Sequence, residues 1–471
     1  MSIAEACEVF RCPHSSLQEK LEVCYKFPVT LERDDLQQED WELFYKALDL
    51  EVLDLLLDDD PGYPNSYVKG IELIAYCAQR CSPLISARFA GMIPKLIDFI
   101  KDPRRYRSDS ILLQVATSIA FIPFDHEKVV YVTDSLKIVC RIFIGQKQDV
   151  DITNALSVLR LLLSKLMNIV RLPRRTIIDD KVWGAAIMSI CRNVVRTKTE
   201  NLTEEVRTLN WTVICFALRI LGHSWFQMDR QFAFVVASMN FAELQMAVYR
   251  PDAIDINILH THVRILEKLI DAADDETLLE EECTQFFCVI GDSSRFVVRF
   301  FLDSLKNESI KEERVKYTLF SFCAFLVHRD NVTLLEKSSQ DEIGPAMFAY
   351  IMDIFQHDRM ELTYDMAILL RRVFSCLTNL DVLSTILAEL IATYFYKISI
   401  AFPMYDVDII IHDVTYGMME VQDRTDAWTP ESIDKAMDIV ETIPEKHRTA
   451  NLCGFINDLA LLKTVIKQHK K

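Results

Sequence analysis

Apolar positions with a helical period recur along the chain in six long segments. They span residues 109–122, 151–170, 204–222, 255–272, 311–329 and 361–380, and their starts lie 42, 53, 51, 56 and 50 residues apart. A shorter apolar helix is predicted before most of them. A unit of two or three helices that recurs at this spacing is typical of a helical solenoid, in which each repeat buries its apolar face against its neighbours.

One unit shows how such a repeat is built. Gly91 is expected to end a helix, and Pro94 to lie in the first turn of the next, where its missing N–H costs nothing. Apolar side chains within 96–100 form the buried stripe of that helix, and Lys101-Asp102-Pro103 breaks it. The segment 109–122 then supplies a longer apolar helix with alanines on one side.

This arrangement resembles the armadillo repeat. A second copy is predicted over residues 330–355, with Gly344 and Pro345 in the places of Gly91 and Pro94, followed by the segment 361–380. The resemblance covers most of residues 67–380, and the units between the two copies are longer and closer to HEAT repeats. It implies an all-α, right-handed α-solenoid of armadillo/HEAT-like repeats, whose long helices line a concave groove for a protein partner.

Composition agrees with a helical chain and suggests three regions. Half of the 471 residues are hydrophobic, a quarter are charged, and only 10 Gly and 14 Pro are present. Such a chain is folded and mostly helical. We predict an acidic N-terminal helical cap over 1–60, armadillo/HEAT-like repeats over 61–380, and a C-terminal helical cap over 381–471. Ser16 and Glu19 have the spacing of a capping box that starts a helix.

Cysteine usage and the chain's start predict an intracellular protein, cytoplasmic and/or nuclear. The 13 cysteines are scattered and mostly lie within apolar helical patterns, as in a reducing compartment. The first residues lack the basic and apolar stretches of a signal peptide. The apolar segment 382–402 contains Glu389 and Lys397, which would be costly in a bilayer, so we interpret it as a buried helix.

Charge is strongly segregated along the chain. Residues 1–60 carry 5 basic and 16 acidic residues, net −11, whereas residues 61–200 carry 21 and 12, net +9. Residues 201–300 have net charge −7 and residues 301–471 net charge −8, which together give the total of −17. The repeats therefore divide into a basic half, 61–200, and an acidic half, 201–380. A basic block within an acidic chain is a candidate binding surface.

The basic block contains three arginine clusters near predicted helix ends. They are Arg104, Arg105 and Arg107; Arg171, Arg174 and Arg175; and Arg192 with Arg196. Equivalent loops of a solenoid stack along one edge, so the clusters can form one stripe. Three interpretations stay open: cations that favour helix C-termini, a docking stripe for an acidic protein segment, and a nucleic-acid surface. The acidic first 60 residues could occupy the stripe in cis.

Four residues of the long helices are further candidates for partner binding: Arg160, Arg207, Asn210 and Trp211. The pair Asn210-Trp211 stands out because armadillo grooves hold extended peptides with Asn and Trp side chains. Asparagine can bond a peptide backbone and tryptophan can pack against its side chains. The alternative is a core tryptophan beside a surface asparagine.

Catalytic and metal-binding motifs are weak. No glycine-rich phosphate loop, His-Glu-x-x-His, Cys-x-x-Cys or Gly-x-Ser-x-Gly occurs. Cys77 and Cys81 are predicted to be a packed core pair, and the acidic run 271–282 a solvated inter-helix turn or a docking patch for a basic partner. The dipeptides His357-Asp358 and His412-Asp413 leave a metal-dependent phosphohydrolase as a minor alternative. No cofactor is predicted.

The sequence thus predicts a non-enzymatic protein-interaction scaffold or adaptor. It would bind a partner segment, acidic or extended, through the solenoid groove and the basic stripe. The main alternative is a nucleic-acid-associated subunit of a nuclear complex that uses the same arginines.

Overall fold

The computed structural model describes residues 3–26, 38–58, 65–102, 109–123, 129–145, 152–170, 181–197, 202–249, 253–274, 280–329 and 331–357, and the single positions 434, 457, 460 and 464. Within these residues the secondary structure is helical. The α-helices are α1 Ile3–Arg11, α2 Leu17–Lys26, α3 Gln38–Ala47, α4 Leu50–Leu57, α5 Ser66–Arg80, α6 Pro83–Ser86, α7 Ile93–Lys101, α8 Asp109–Phe121, α9 Val129–Gly145, α10 Ile152–Val170, α11 Lys181–Arg196, α12 Glu204–Leu221, α13 Arg230–Val248, α14 Ile256–Ala273, α15 Glu280–Asn307, α16 Glu313–His328 and α17 Lys337–His357. Short 3-10 helices cover Ala87–Met92, His223–Met228 and Asn331–Leu334.

Five of the six predicted long helices are confirmed as α8, α10, α12, α14 and α16, and the sixth segment, 361–380, lies outside the described residues. Side-chain caps fix several helix starts. Ser16 N–H donates to Glu19 Oε2 at 2.7 Å and Glu19 N–H donates to Ser16 Oγ at 3.2 Å, which is the predicted capping box. Asp255 Oδ1 likewise accepts from Asn257 N–H at 2.8 Å at the start of α14.

The contacts divide the chain into two compact units, Met1–Val235 and Val236–Lys471. In the first unit the helices form two layers. Helices α5, α8, α10 and α12 contact one another in succession, and so do α7, α9 and α11, while neighbours along the chain pack between the layers. Each helix therefore contacts its sequence neighbour and the helix one repeat away, which is the packing of a solenoid.

Leucine-rich faces fill the space between these layers. On α10, Leu156, Leu159, Leu162, Leu163 and Leu166 are fully buried, as are Val132 and Leu136 on α9. A buried side chain of this kind stabilises the fold by roughly 1.5–3 kcal/mol. The helix layers thus pack through apolar side chains whose helical spacing is already visible in the sequence.

The first helices pack on the start of the solenoid through aromatic rings. Helices α3 and α4 contact α5, and the ring centroids of Trp41 and Tyr76 are 4.9 Å apart. Tyr45 and Phe89 meet edge to face at 6.2 Å. These helices cover the apolar side of α5 that would otherwise face solvent.

The second unit repeats the same contact pattern. Helix α14 contacts α16 and α15 contacts α17, while α15 and α16 also contact each other. Asn240 on α13 and His262 on α14 form a buried polar contact: His262 Nδ1 lies 2.7 Å from Asn240 Oδ1, and Asn240 Nδ2 donates to the His262 carbonyl at 3.1 Å. The fold prediction, an all-α solenoid, is confirmed within each unit.

Two predicted helix boundaries are wrong. Gly91 lies inside the 3-10 helix Ala87–Met92, so no α-helix ends on it, although Pro94 does lie in the first turn of α7. Gly344 and Pro345 do not separate two helices, because α17 continues through Pro345. Proline removes one helical hydrogen bond there, but the adjacent side chains of Ile343 and Met347 are fully buried. Their packing offsets the loss.

Candidate interaction surface

Several cations of the basic block are used inside the protein. Lys95 Nζ lies 2.7 Å from Asp54 and 2.9 Å from Asp58, both in the acidic first 60 residues. Partial burial acts to lower the pKa of Lys95, but hydrogen bonds to these carboxylates outweigh it and the pKa is raised. The acidic N-terminal region therefore does contact the basic block in cis, here through a lysine.

Two more cations hold helix C-termini. Arg88 Nη1 donates to the carbonyls of Tyr45 at 2.7 Å and Lys46 at 2.9 Å, at the end of α3. Lys165 Nζ donates to the Ile122 carbonyl at 3.0 Å, next to the end of α8, and burial lowers its pKa. The terminal carbonyls of a helix lack internal partners, and cations stabilise them. Arg88 and Lys165, which belong to none of the three arginine clusters, thus stabilise helix C-termini.

Three arginines of the basic block face solvent on successive helices: Arg141 on α9, Arg160 on α10 and Arg196 on α11. Among the described residues, none of the three guanidinium groups forms an ion pair or a hydrogen bond. A guanidinium is always charged and suits planar carboxylates. These arginines are therefore available to an external acidic group.

The remaining predicted arginines are placed differently or lie outside the described residues. Arg192 pairs with Asp229, whose other carboxylate oxygen accepts from Phe232 N–H at 3.0 Å near the start of α13. Arg207 is partly buried on α12. Six predicted arginines fall outside the described residues: Arg104, Arg105, Arg107, Arg171, Arg174 and Arg175.

Asn210 and Trp211 are both buried on α12, each with 2% of its surface exposed. The tryptophan is a core residue, as one of the two sequence interpretations has it. The asparagine is buried instead of lying at the surface, and its Oδ1 has no hydrogen-bond partner among the described residues. The sequence did not indicate this burial, because an isolated asparagine carries no signal of its depth.

Arg141 was missed by the sequence analysis because it belongs to no cluster. The signal is helical spacing: Val130, Lys137, Arg141 and Ile144 recur at intervals of seven, four and three on α9. Val130 is 49% exposed and Ile144 is 51% exposed. Together with Val182 of α11, which is 63% exposed, these residues form what we call the basic–apolar face.

A cavity of about 230 Å³ opens on this face between α9 and α11. Lys137, Cys140, Arg141 and Ile144 line it from α9, and Val182 and Trp183 line it from α11. Cys140 and Trp183 are buried, and Nε1 of Trp183 has no hydrogen-bond partner among the described residues. Burial raises the pKa of the Cys140 thiol to about 12, so this thiol is neutral near pH 7.

Among the described residues, no group of three or more His, Cys, Asp or Glu side chains is placed to bind a metal ion. Cys77 and Cys81 are both buried, which confirms the predicted core pair. The hydrogen bond with Cys81, together with burial, raises the pKa of the Cys77 thiol. Asp358 and the whole dipeptide His412-Asp413 lie outside the described residues.

The interpretation of 271–282 as a solvated turn is wrong at both ends. Asp271 belongs to α14 and is only 7% exposed, and Lys268 Nζ donates to it at 2.6 Å. Arg329 Nη2 lies 3.2 Å from its other oxygen, and Asn331 Nδ2 donates to Asp274 at 3.0 Å. We call Asp271 and Asp274 with these partners the acidic end of α14. Glu280–Asn307 is helix α15, so the last acidic residues start a helix.

In the described part of the chain, no helix has the length and apolar character needed to cross a membrane. The segment 382–402 lies outside it.

The chain matches no known protein-family profile and no curated protein sequence. Solved structures with a similar backbone arrangement include an engineered protein, at 10% identity, TM-score 0.46 and 98% coverage of both chains. SYS-1 in complex with POP-1 is similar at 11% identity and TM-score 0.37, over 98% of this chain and 91% of that one. Importin β is similar at 10% identity and TM-score 0.36, over 98% and 59%.

SYS-1 and importin β are solenoids of the armadillo/HEAT type, the superfamily that the repeat pattern of this chain resembles. At these identities and TM-scores the likeness assigns no function or partner to this chain. The fold rests on the helix contacts described above.

Proposed function

We propose that this chain is a non-enzymatic protein-interaction scaffold or adaptor that binds an acidic, extended segment of a partner protein. The observation that carries the proposal is the set of exposed arginines Arg141, Arg160 and Arg196 on three successive helices. Their guanidinium groups form no ion pair or hydrogen bond with the described residues, whereas Arg88, Lys95 and Lys165 are engaged internally. Unpaired cations on a helical stack can attract and orient a carboxylate-rich segment.

The basic stripe proposed from the sequence contains Arg196 and the clusters at 104–107 and 171–175, and we extend it to Arg141 and Arg160. Equivalent loops of stacked repeats lie near one another, so the clusters would extend the same surface. In this proposal the partner lies across several repeats, and its affinity comes from many weak contacts.

A protein partner suits the surface better than nucleic acid does. The exposed apolar side chains of Ile144 and Val182 line the same cavity as Arg141, and a phosphate backbone offers nothing to bury them. An acidic protein segment can supply both carboxylates and apolar groups.

The test compares partners recovered from cells with the wild-type chain and with the double variant Arg160→Glu and Arg196→Glu. Arg314→Glu is the matched control, because Arg314 is an exposed arginine of α16 outside the basic block. Each recovered protein is then purified and titrated against all three chains at two salt concentrations.

We expect at least one acidic protein partner that binds the double variant about tenfold more weakly, about 1.4 kcal/mol, and binds the control unchanged. Recovery of nuclease-sensitive RNA or DNA, with affinity falling steeply as salt rises, would support the nucleic-acid alternative. Equal recovery of all partners by the three chains would refute the basic stripe.

A further inference from the structure

The cavity between α9 and α11 has the composition of a pocket for one bulky apolar side chain. Ile144 and Val182 stand at its edge and are 51% and 63% exposed. A volume of about 230 Å³ is smaller than the pockets that enclose drug-sized ligands, which are roughly 300–1,000 Å³. It suits a side chain presented by a protein segment.

Positive charge borders the apolar part of the cavity. Arg141 has no ion-pair partner among the described residues, and Lys137 lies 3.7 Å from Asp134 on the same helix, at a partly exposed position. Since an exposed ion pair of this kind contributes about 0–1 kcal/mol, a carboxylate from outside can compete for Lys137. The rim therefore favours an apolar group that is flanked by acidic residues.

The wall of the cavity also holds an unused hydrogen-bond donor. Trp183 is fully buried, and its Nε1–H meets no acceptor among the described residues. A buried tryptophan near α11, Trp225, in contrast donates its Nε1–H to the Gly184 carbonyl at 2.9 Å. A buried donor without a partner is unusual, and an acceptor that entered the cavity could satisfy it.

We propose that this cavity docks a leucine, isoleucine, phenylalanine or tryptophan side chain from an acidic segment of a partner protein. The inference rests on the proposed function and deepens it by naming a site and the partner chemistry. The site lies on the layer formed by α7, α9 and α11, whereas the longest helices of the first unit, α10 and α12, belong to the other layer. It is therefore separate from a groove lined by the long helices.

The experiment selects peptides from a displayed library of random 12-residue sequences on the full-length wild-type chain. The enriched peptides are synthesised with a fluorescent label, and their affinities are measured by anisotropy. Four chains are compared: wild type, Val182→Glu, Arg141→Glu and Arg314→Glu. The last variant is the matched control, because it makes the same charge change as Arg141→Glu on an exposed arginine that neither belongs to the basic block nor lines the cavity.

We expect enriched peptides that combine a bulky apolar residue with neighbouring Asp or Glu. Their affinity should fall about tenfold in Val182→Glu and in Arg141→Glu, and should change less than twofold in Arg314→Glu. Circular dichroism should show unchanged helix content and melting temperature in each variant, because the substituted side chains are exposed.

Three results would overturn the docking pocket: no peptide enriched on the wild type, enriched peptides without the apolar–acidic combination, or equal binding to wild type and Val182→Glu. Failure of the pocket is distinguishable from failure of the scaffold. If cellular partners are lost with Arg160→Glu and Arg196→Glu while Val182→Glu retains them, the scaffold stands and the pocket is refuted.

Discussion

The basic–apolar face and the acidic end of α14 differ in whether their charged side chains have partners of opposite charge. At the acidic end of α14, Asp271 is buried and two cations, Lys268 and Arg329, lie against it. On the basic–apolar face, Arg141 is exposed and no carboxylate of the described residues pairs with it. The difference shows that a charge stabilises this fold only where a neighbouring turn or helix supplies its partner. A charge without such a partner contributes little to stability and is free to bind.

The largest expected effect comes from Trp225, which supports helix α11 beneath the basic–apolar face. It is 1% exposed, bonds the Gly184 carbonyl and contacts Phe232, with ring centroids 5.9 Å apart. Trp225→Ala should lower the free energy of unfolding by about 3–5 kcal/mol, because it leaves a cavity and removes the hydrogen bond to the Gly184 carbonyl. Urea denaturation followed by circular dichroism measures it. Trp225→Phe should cost clearly less, and equal losses in both variants would contradict this account.

The buried contact near the acidic end of α14 gives the next effect. Asn240 is fully buried and bonds His262 through both its amide groups. Asn240→Ala should lower the free energy of unfolding by about 1–3 kcal/mol, since the His262 Nδ1 group loses its partner in a buried place. Asn193→Ala, at an exposed position of α11, is the control and should change stability little. A change below about 0.5 kcal/mol for Asn240→Ala would show that water replaces the amide.

Asp49 should give a smaller, pH-dependent effect. It bonds Lys20 Nζ at 3.0 Å and accepts from Glu51 N–H at 3.1 Å, and these contacts hold its pKa below the usual value of 3.8. A lowered pKa in the folded state adds stability at pH values above 3.8, and this stability is lost as the pH falls through the folded-state pKa.

Asp49→Ala should therefore cost about 1 kcal/mol near pH 7 and much less in acid. Denaturation at pH 7 and at pH 2.5 measures the difference. A cost that is the same at both pH values would mean that the ionised carboxylate plays no part.

The smallest effect tests the comparison directly through two arginines. Arg329→Glu places a carboxylate next to buried Asp271 and should lower stability by about 1 kcal/mol. Arg196→Glu makes the same change where no ion pair exists among the described residues, and should stay within about 0.5 kcal/mol of wild type. Thermal denaturation of both variants measures the two changes in stability. Similar losses of stability would contradict the difference between the two regions.

The helices were predictable from the sequence because their signals are local. The apolar period placed α8, α10, α12, α14 and α16, and the Ser16–Glu19 spacing placed the start of α2, because both signals act within a few residues. Pro345 misled the prediction because the tertiary packing of its neighbours Ile343 and Met347, which are fully buried, outweighs the local cost of proline.

The candidate site was less predictable, because a cation's partner is decided by tertiary contacts. Lys95 reaches Asp58, 37 residues away, and Arg192 reaches Asp229, also 37 residues away. Clustering in sequence singled out Arg192, which is paired, and passed over Arg141, which is not. Only the packing of α9 against α11 shows that Arg141 borders an apolar cavity.

The cations that hold helix ends also bear on how the chain folds during synthesis. Arg88 follows Tyr45 by 43 residues, and Lys165 follows Ile122 by the same number. At a translation rate of about 5–20 residues per second, each helix end waits about 2–9 seconds for the residue that closes it. At these two places, the carbonyl at a helix end therefore meets its cation only after a later part of the chain has been synthesised.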